Sequence, residues 1–173
     1  EANEGYLSPG EIQALLDAAG IPRAKEMVCR TAQEALNAAP VVGFPLVMKV
    51  VGPVHKSDVG GVVLNVTSVE QLTLEFARMI SIPETVAVLL QPMLSGIELF
   101  AGAKREGAFG HMVLCGMGGI FIEVLKDIAS ALSPLGNHEA LSMIRSLKSH
   151  QIIKGVRGQK GVNEILFAEI LTR

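Results

Sequence analysis

Three helix-capping signatures are interspersed with three short β-branched segments in the first half of the chain, and together they restrict it to a mixed α and β fold. The segment S-P-G-E begins at Ser8 and is a capping box with proline at the first helical position. Apolar residues then recur at helical spacing until Gly20, which predicts a first helix over residues 9–19. The segments T-A-Q-E at Thr31 and S-V-E-Q at Ser68 predict two further helices.

Three apolar segments in the same half are predicted to form strands. Residues 45–51 (PLVMKVV) and 61–66 (GVVLNV) are short, rich in β-branched side chains and bounded by glycine or proline. Residues 86–90 (VAVLL) carry no polar alternation, which is typical of a central strand buried on both faces, and Pro92 ends the run. These pieces predict an α/β lobe over residues 20–90.

The second half is expected to form an antiparallel lobe over residues 91–173. Strands are predicted over residues 98–104, 111–115 and 120–128. Asn137 and Asn163 are each placed to cap a helix with apolar residues on one face. Proline and glycine over residues 91–98 mark the crossing between the lobes, where a cleft for a small ligand is expected. Residues 1–173 are therefore expected to form one domain of class α+β or α/β with two lobes.

The composition excludes several classes of protein. Apolar residues make up 49% of the 173 residues and charged residues only 18%, which excludes intrinsic disorder. No apolar run approaches the roughly 20 residues that a transmembrane helix needs. Fifteen basic and seventeen acidic residues give a formal charge of −2, so no basic field exists to attract nucleic acid. The surplus of apolar residues indicates that another domain or a partner subunit covers part of the surface.

The cysteines indicate the compartment of the protein, and the first residue indicates whether the chain is part of a longer one. Cys29 and Cys115 belong to no C-x-x-C or Cys/His cluster, which predicts reduced thiols in a cytoplasmic protein and no zinc site. The chain begins with Glu1 and has neither a signal peptide nor a transit-peptide composition. It is expected to be a piece of a longer protein.

Lys49 places an ammonium group in the middle of an otherwise apolar predicted strand, on the strand face of Val47 and Val51. Such a group must reach water or meet a negative partner. Two interpretations are open at this point. Lys49 either lies on an edge strand, where a lysine discourages aggregation, or contacts a phosphate group.

The next loop collects an imidazole, a cation, a hydroxyl and two glycines between two predicted strands. These residues are His55, Lys56, Ser57, Gly60 and Gly61. Such a loop can bring backbone N–H groups and a positive charge close to phosphate oxygens. It is not a Walker A loop, because G-x-x-x-x-G-K-[ST] is absent and a strand comes next. The imidazole of His55 is compatible with a general base, a phosphoryl acceptor or a simple turn residue.

Three further segments carry residues that are candidates for a binding site. The G-M-G-G segment at residues 116–119 precedes a strand pattern rather than a helix, which excludes a dinucleotide fingerprint. Glu123 and Asp127 share one face of the predicted strand about 13 Å apart, which excludes a metal pair and leaves each facing solvent. Arg157, in G-V-R-G, is placed either for a bidentate phosphate contact or as a solvated loop residue.

Five segments, in this order and at these separations, resemble the ATP-grasp domain of the ADP-forming (NDP-forming) acyl-CoA synthetases. They are PLVMKVV, HKSDVGGV, LLQPMLSGIELFAGAKR, FGHMVLCGMGGIFIEVLKDIA and GVRG, and the resemblance covers nearly the whole chain. It implies an ATP-grasp fold, in which two lobes hold ATP or ADP with Mg²⁺ in the cleft between them. It also implies an acid–thiol ligase of the acetate–CoA ligase type. Such an enzyme interconverts acyl-CoA, ADP and phosphate with the free acid, ATP and CoA through an acyl phosphate and phosphohistidine.

The resemblance also assigns roles to individual residues. It makes His55 the catalytic histidine that relays phosphoryl to ADP. The residues that it implies in nucleotide binding are Lys49, Lys56, Ser57, Gly60 and Gly61 at the phosphates, the backbone of Leu90, Gln91, Pro92 and Met93 at the adenine, Glu98 at the ribose or metal region, and Glu123 and Arg157 at the phosphate end of the cleft. The implied partners are the CoA-binding and phosphohistidine domains, in the same chain or in a partner subunit of an oligomeric cytoplasmic enzyme.

The chain departs from the family pattern in three places. Residues 52–54 form a stretch that is two residues shorter than usual, and Ala131 stands where the family commonly has arginine. The magnesium ligands are expected beyond Arg173, so the 173 residues alone are not expected to complete an acyl-CoA synthetase turnover. Two alternative hypotheses are a non-catalytic, synthetase-like sensor region of a protein lysine acetyltransferase and an assembly scaffold. The missing arginine at Ala131 slightly favours the sensor, whereas the retained His55 argues against it.

Overall fold

A computed structural model of the chain describes residues 7–53, 58–119, 126–158 and 160–173, which form two compact units, Glu1–Leu94 and Ser95–Arg173. The first unit contains α1 (Pro9–Ala18), β1 (Met27–Cys29), α2 (Ala32–Val42), β2 (Leu46–Val51), β3 (Val62–Val66), α3 (Val69–Ile80) and β4 (Ala87–Pro92). The second contains β5 (Leu99–Arg105), β6 (His111–Met117), β7 (Ile128–Leu132), α4 (Asn137–Ser146), α5 (His150–Lys154) and α6 (Glu164–Leu171).

The first unit is built on an antiparallel sheet with strand order β1-β4-β2-β3. Alternate side chains of β2 point to one face, where Leu46, Met48 and Val50 are completely buried. There they pack in one core with apolar residues of α2 and α3, including Leu72 and Met79. The remaining side chains of β2 point to the opposite face of the sheet, away from this core.

The second unit is built on a smaller antiparallel sheet, in the order β5-β6-β7. Strands β5 and β6 pair as an antiparallel hairpin, and their connection contains a short 3₁₀ turn at Gly107–Phe109. Cys115 and Met117 of β6 pack against Ile144 of α4 and Phe167 of α6 to form the core. The mixed α and β class is confirmed, and α+β describes it best because every observed strand pairing is antiparallel.

The capping signatures place the helix starts correctly, with one exception. In α1, α2 and α3 the predicted Ser8, Thr31 and Ser68 are the N-caps, and α6 begins after the predicted Asn163. The prediction that Asn137 caps α4 is wrong. Gly136 is the N-cap there, because the carboxylate of Glu139 accepts a hydrogen bond from the Gly136 N–H at 2.9 Å.

The prediction of a third strand over residues 120–128 is also wrong at its C-terminal end. Residues 120–125 lie outside the described residues, and the strand that pairs with β6 begins at Ile128 rather than ending there. Asp127 is therefore not a strand residue facing solvent. Its carboxylate accepts hydrogen bonds from the backbone N–H groups of Lys148 and Ser149, at 3.0 and 2.7 Å.

No helix within the described ranges is both long enough and apolar enough to cross a membrane.

Candidate functional site

Lys49 lies on the face of the first sheet that points away from the helical core. It is partly exposed, while its neighbours Met48 and Val50 are completely buried on the core side. Its strand, β2, is paired on both sides: Lys49 lies opposite Leu89 of β4 and Val62 of β3. The edge-strand interpretation of Lys49 is therefore excluded. The sheet therefore fixes the point at which the Lys49 side chain leaves the backbone, on the face opposite the helical core.

The loop after β2 is described only at its two ends, since residues 54–57, with His55, Lys56 and Ser57, lie outside the described residues. At its far end, the Gly61 carbonyl accepts a hydrogen bond from the Val50 N–H at 2.8 Å. The Gly60 carbonyl accepts one from Arg78 at 3.0 Å, a contact that the sequence analysis did not identify. Both glycine carbonyls therefore anchor this end of the loop, one to β2 and the other to α3.

Gly52 fixes the near end of the same loop. Its φ is +127°, and a Cβ atom built on it would collide with the carbonyl oxygen of Glu84. Only glycine meets both conditions. The loop that carries His55 therefore leaves the sheet at one defined point, next to the turn that precedes β4.

We expect Gly52→Ala to destabilise the protein by about 2 kcal/mol or more, because the methyl group must displace the backbone of Glu84 in an unfavourable conformation. Chemical denaturation monitored by circular dichroism measures the free energy of unfolding. Gly10→Ala is the matched control, since a Cβ atom at Gly10 meets no atom within 4 Å and the residue lies in α1, where alanine is favoured. Equal free energies of unfolding in the two variants would contradict the requirement for glycine at position 52.

The segment expected to receive the adenine ends the central strand β4. Leu90 is completely buried in the core, so it can offer only its backbone. Pro92 has no N–H group, and the N–H of Met93 already donates to the Pro45 carbonyl at 2.9 Å. Gln91 is partly buried, and its side-chain amide donates to the carboxylate of Glu26 at 2.6 Å. Among the side chains of this segment, the polar one is that of Gln91.

Glu98, in the second unit, lines a cavity of about 340 Å³. The cavity is lined by Gly96, Ile97, Glu98, Met117, Gly118, Gly119 and Ile152. The Glu98 carbonyl accepts a hydrogen bond from the Gly118 N–H at 2.8 Å, and its carboxylate lies where a Cβ atom of Gly119 would be. Gly118 and Gly119 are therefore needed for the close approach of Glu98.

The two remaining predicted residues of this unit are placed differently. Glu123 lies outside the described residues. Arg157 is exposed in the connection between α5 and α6 and adopts a φ of +52°. The base of this connection is closed by a 2.8 Å hydrogen bond from the Val162 N–H to the Ile153 carbonyl. Arg157 is thus carried on a short loop that is closed at its base.

The two cysteine thiols, of Cys29 and Cys115, are free and buried. Burial raises the pKa of Cys29 and raises that of Cys115 to about 11, with the charges of Glu34 and Asp127 adding to the respective effects. Both thiols are therefore protonated at neutral pH and are poor nucleophiles.

Residues 7–53, 58–119, 126–158 and 160–173 contain no group of three or more His, Cys, Asp or Glu that could hold a metal ion.

Comparison with known proteins finds the same family over the whole chain. The family described as "ATP-grasp domain" matches residues 1–173. Acetate–CoA ligase (ADP-forming) II of Archaeoglobus fulgidus is 45% identical over 154 residues, which are 87% of this chain and 23% of that protein. The beta subunit of acetate–CoA ligase (ADP-forming) I of Pyrococcus furiosus is 35% identical over an alignment of 173 residues. The alignment covers 94% of this chain and 75% of the subunit. The chain thus spans about a quarter of the length of the first relative.

Two solved structures of a Ca. Korarchaeum cryptofilum protein, dinucleotide forming acetyl-coenzyme A synthetase 1, have the same fold. One is a complex with coenzyme A, Ca-AMPCP and HgCl⁺, with a TM-score of 0.87, 34% identity, and coverage of 96% of this chain and 78% of that one. The other contains coenzyme A and Mg-AMPPCP, with a phosphohistidine segment pointing towards the nucleotide binding site; its TM-score is 0.79 at 33% identity, with 96% and 76% coverage. These similarities confirm the resemblance found in the sequence and the fold that it implied.

Proposed function

Because the chain belongs to the ATP-grasp domain family, we propose that it binds the nucleotide and relays the phosphoryl group in an ADP-forming acyl-CoA synthetase. The overall reaction converts acyl-CoA, ADP and phosphate into the free acid, ATP and CoA. The observation that carries the proposal is the position of Lys49. It is a partly exposed cation on a central strand, and the strand leads within a few residues into the loop that carries His55.

Lys49 neutralises charge on the nucleotide phosphates. Phosphoryl transfer needs mainly positioning and charge neutralisation, and a cation fixed by a sheet supplies both without reorganising. Its neighbours Met48 and Val50 are locked in the core, so the strand cannot rotate to withdraw the ammonium group. Lys56, Ser57 and the N–H groups of Gly60 and Gly61 complete the phosphate contacts.

His55 accepts and returns the phosphoryl group. In the direction of ATP consumption, a neutral imidazole nitrogen attacks the γ-phosphorus, the bond to the β–γ bridging oxygen breaks, and ADP leaves with that electron pair. In the opposite direction an ADP oxygen attacks phosphohistidine to form ATP. The anchoring at Gly52 and Gly61 supports a loop whose two ends are held at fixed points of the sheet.

The other predicted residues surround the nucleotide. The segment of Leu90, Gln91, Pro92 and Met93 contacts the base, and Glu98 contacts the ribose or the metal region. Glu123 and Arg157 contact the phosphate end. Mg²⁺ would accompany the nucleotide and neutralise charge on its phosphates, and its protein ligands are proposed to lie beyond Arg173.

The remaining steps of the reaction require other parts of the enzyme. The proposed partners are a CoA-binding domain and a domain with a second phosphohistidine, in the same chain or a partner subunit of an oligomer. The lengths of the relatives and the coenzyme A and phosphohistidine segment named for the solved structures support this assignment. The cytoplasm, where ATP and CoA are available, is the proposed compartment.

We expect the full chain to bind ADP and ATP in the presence of Mg²⁺ when titrated by isothermal calorimetry. At a hundredfold excess of ADP over its Kd, the free energy of unfolding should rise by about 2.7 kcal/mol. Adenosine, which lacks the phosphates that Lys49 contacts, should bind at least tenfold more weakly. The proposal is wrong if ADP and ATP both give no heat of binding and leave the unfolding transition unchanged.

A further inference from the structure

Glu26 and Gln91 form a cross-strand pair at the end of the first sheet. In the antiparallel β1–β4 pairing, Met27 lies opposite Leu90 and Val28 lies opposite Leu89. Glu26, one residue before β1, therefore faces Gln91. The Gln91 Nε2 atom donates to the Glu26 Oε2 atom at 2.6 Å, and both side chains are partly buried. This short hydrogen bond connects two residues that are 65 positions apart.

The contact determines which way the Gln91 amide points. An ionised carboxylate can only accept hydrogen bonds, so the amide atom that faces Glu26 must be the nitrogen. The carbonyl oxygen of the same amide, Oε1, then points away from Glu26. Among the described residues no donor reaches this oxygen, and it is not a buried atom. Gln91 thus presents an acceptor of fixed orientation.

This acceptor lies on the same sheet face as Lys49. Along β4, Leu90 points into the core, so Leu89 and Gln91 point to the opposite face. Lys49 lies opposite Leu89, and Val47, on the same face as Lys49, lies opposite Gln91. Lys49 and Gln91 are thus diagonal neighbours, roughly 7 to 8 Å apart.

We propose that Glu26 is a positioning residue for nucleotide specificity: it orients the Gln91 amide so that the carbonyl oxygen accepts a hydrogen bond from the 6-amino group of a purine. This inference rests on the proposed function and adds the base preference to it. A 6-amino purine, adenine, donates at this position, whereas a 6-oxo purine, hypoxanthine or guanine, places its own oxygen against Oε1. The mismatch leaves two acceptors facing each other, which disfavours the 6-oxo base by about tenfold or more.

The test compares ADP with inosine 5′-diphosphate, which differs from ADP only in the purine 6-position and the adjoining ring nitrogen. With Mg²⁺ and the full chain, the wild-type protein should bind ADP at least tenfold more tightly. In Glu26→Gln the amide can donate to Gln91 or accept from it, so both orientations of Gln91 become available. The ratio of the two Kd values should then fall at least threefold, towards unity.

One control and one further variant separate this role from a structural one. Glu84→Gln removes the same charge from an exposed position in the same unit and should leave the ratio unchanged. Gln91→Met keeps the length of the side chain without a hydrogen-bonding group and should also bring the ratio close to one. A merely structural defect would weaken the binding of both nucleotides together and keep the ratio of their Kd values.

The outcomes distinguish the two proposals. If the wild-type protein binds neither diphosphate, the proposed function is wrong and this inference falls with it. If it binds both nucleotides equally, or if Glu26→Gln and Gln91→Met each keep the wild-type ratio, only the role of Glu26 is overturned.

Discussion

Replacing Lys49 by methionine is expected to weaken the binding of Mg-ADP by about ten- to a hundredfold. A hydrogen bond between a charged donor and phosphate contributes about 1.5–3 kcal/mol, and each 1.4 kcal/mol corresponds to a factor of ten. Lys49 is the one lysine in β2, so no neighbouring lysine on the same strand can replace it. Calorimetric titration with ADP measures the loss directly.

Methionine suits this substitution because its unbranched apolar side chain follows the path of the lysine stem across the sheet. The free energy of unfolding should therefore change by less than about 1 kcal/mol. Lys104→Met is the matched control, since Lys104 is an exposed residue of β5 that pairs with Glu106 at 2.9 Å. Wild-type ADP affinity in Lys49→Met would remove the observation on which the proposed function depends.

Much of the fold follows from local signals, and the exceptions have physical reasons. The helices α1, α2 and α3 have a serine or threonine cap whose hydrogen bonds act within four residues, and these were predicted. The missed strand β7 has the sequence I-A-S-A-L, whose small residues have little strand preference of their own. It is held by its pairing with β6 and by the partly buried Ala129 and Ala131, which pack on the second core. Such pairing is not visible in a local pattern.

The candidate site was predicted where one residue type is unusual for its surroundings. Lys49 is conspicuous because it interrupts an apolar strand, but only the strand order excludes the edge-strand interpretation. Glu26 carries no such signal, because its importance depends on the pairing of β1 with β4 and β1 has only three residues. Gly52 likewise appears as ordinary turn punctuation until Glu84 is seen against it.

The phosphoryl relay assigned to His55 gives the most direct test of the whole account. The full-length protein, with any partner subunit, is incubated with [γ-³²P]ATP and Mg²⁺, and bound label is measured after denaturation. Phosphohistidine is a phosphoramidate, so the label should be lost in acid and kept in base. His111→Asn, at the exposed start of β6, is the matched control and should be labelled like the wild-type protein.

His55→Asn is expected to lower the acid-labile label to background, because in the proposed relay every phosphoryl group that leaves ATP is first bonded to that imidazole. The variant should still bind ADP within a few fold of the wild-type affinity, since Lys49 and the base contacts are unchanged. Acid-labile labelling of His55→Asn at the level of the wild-type protein would contradict the relay.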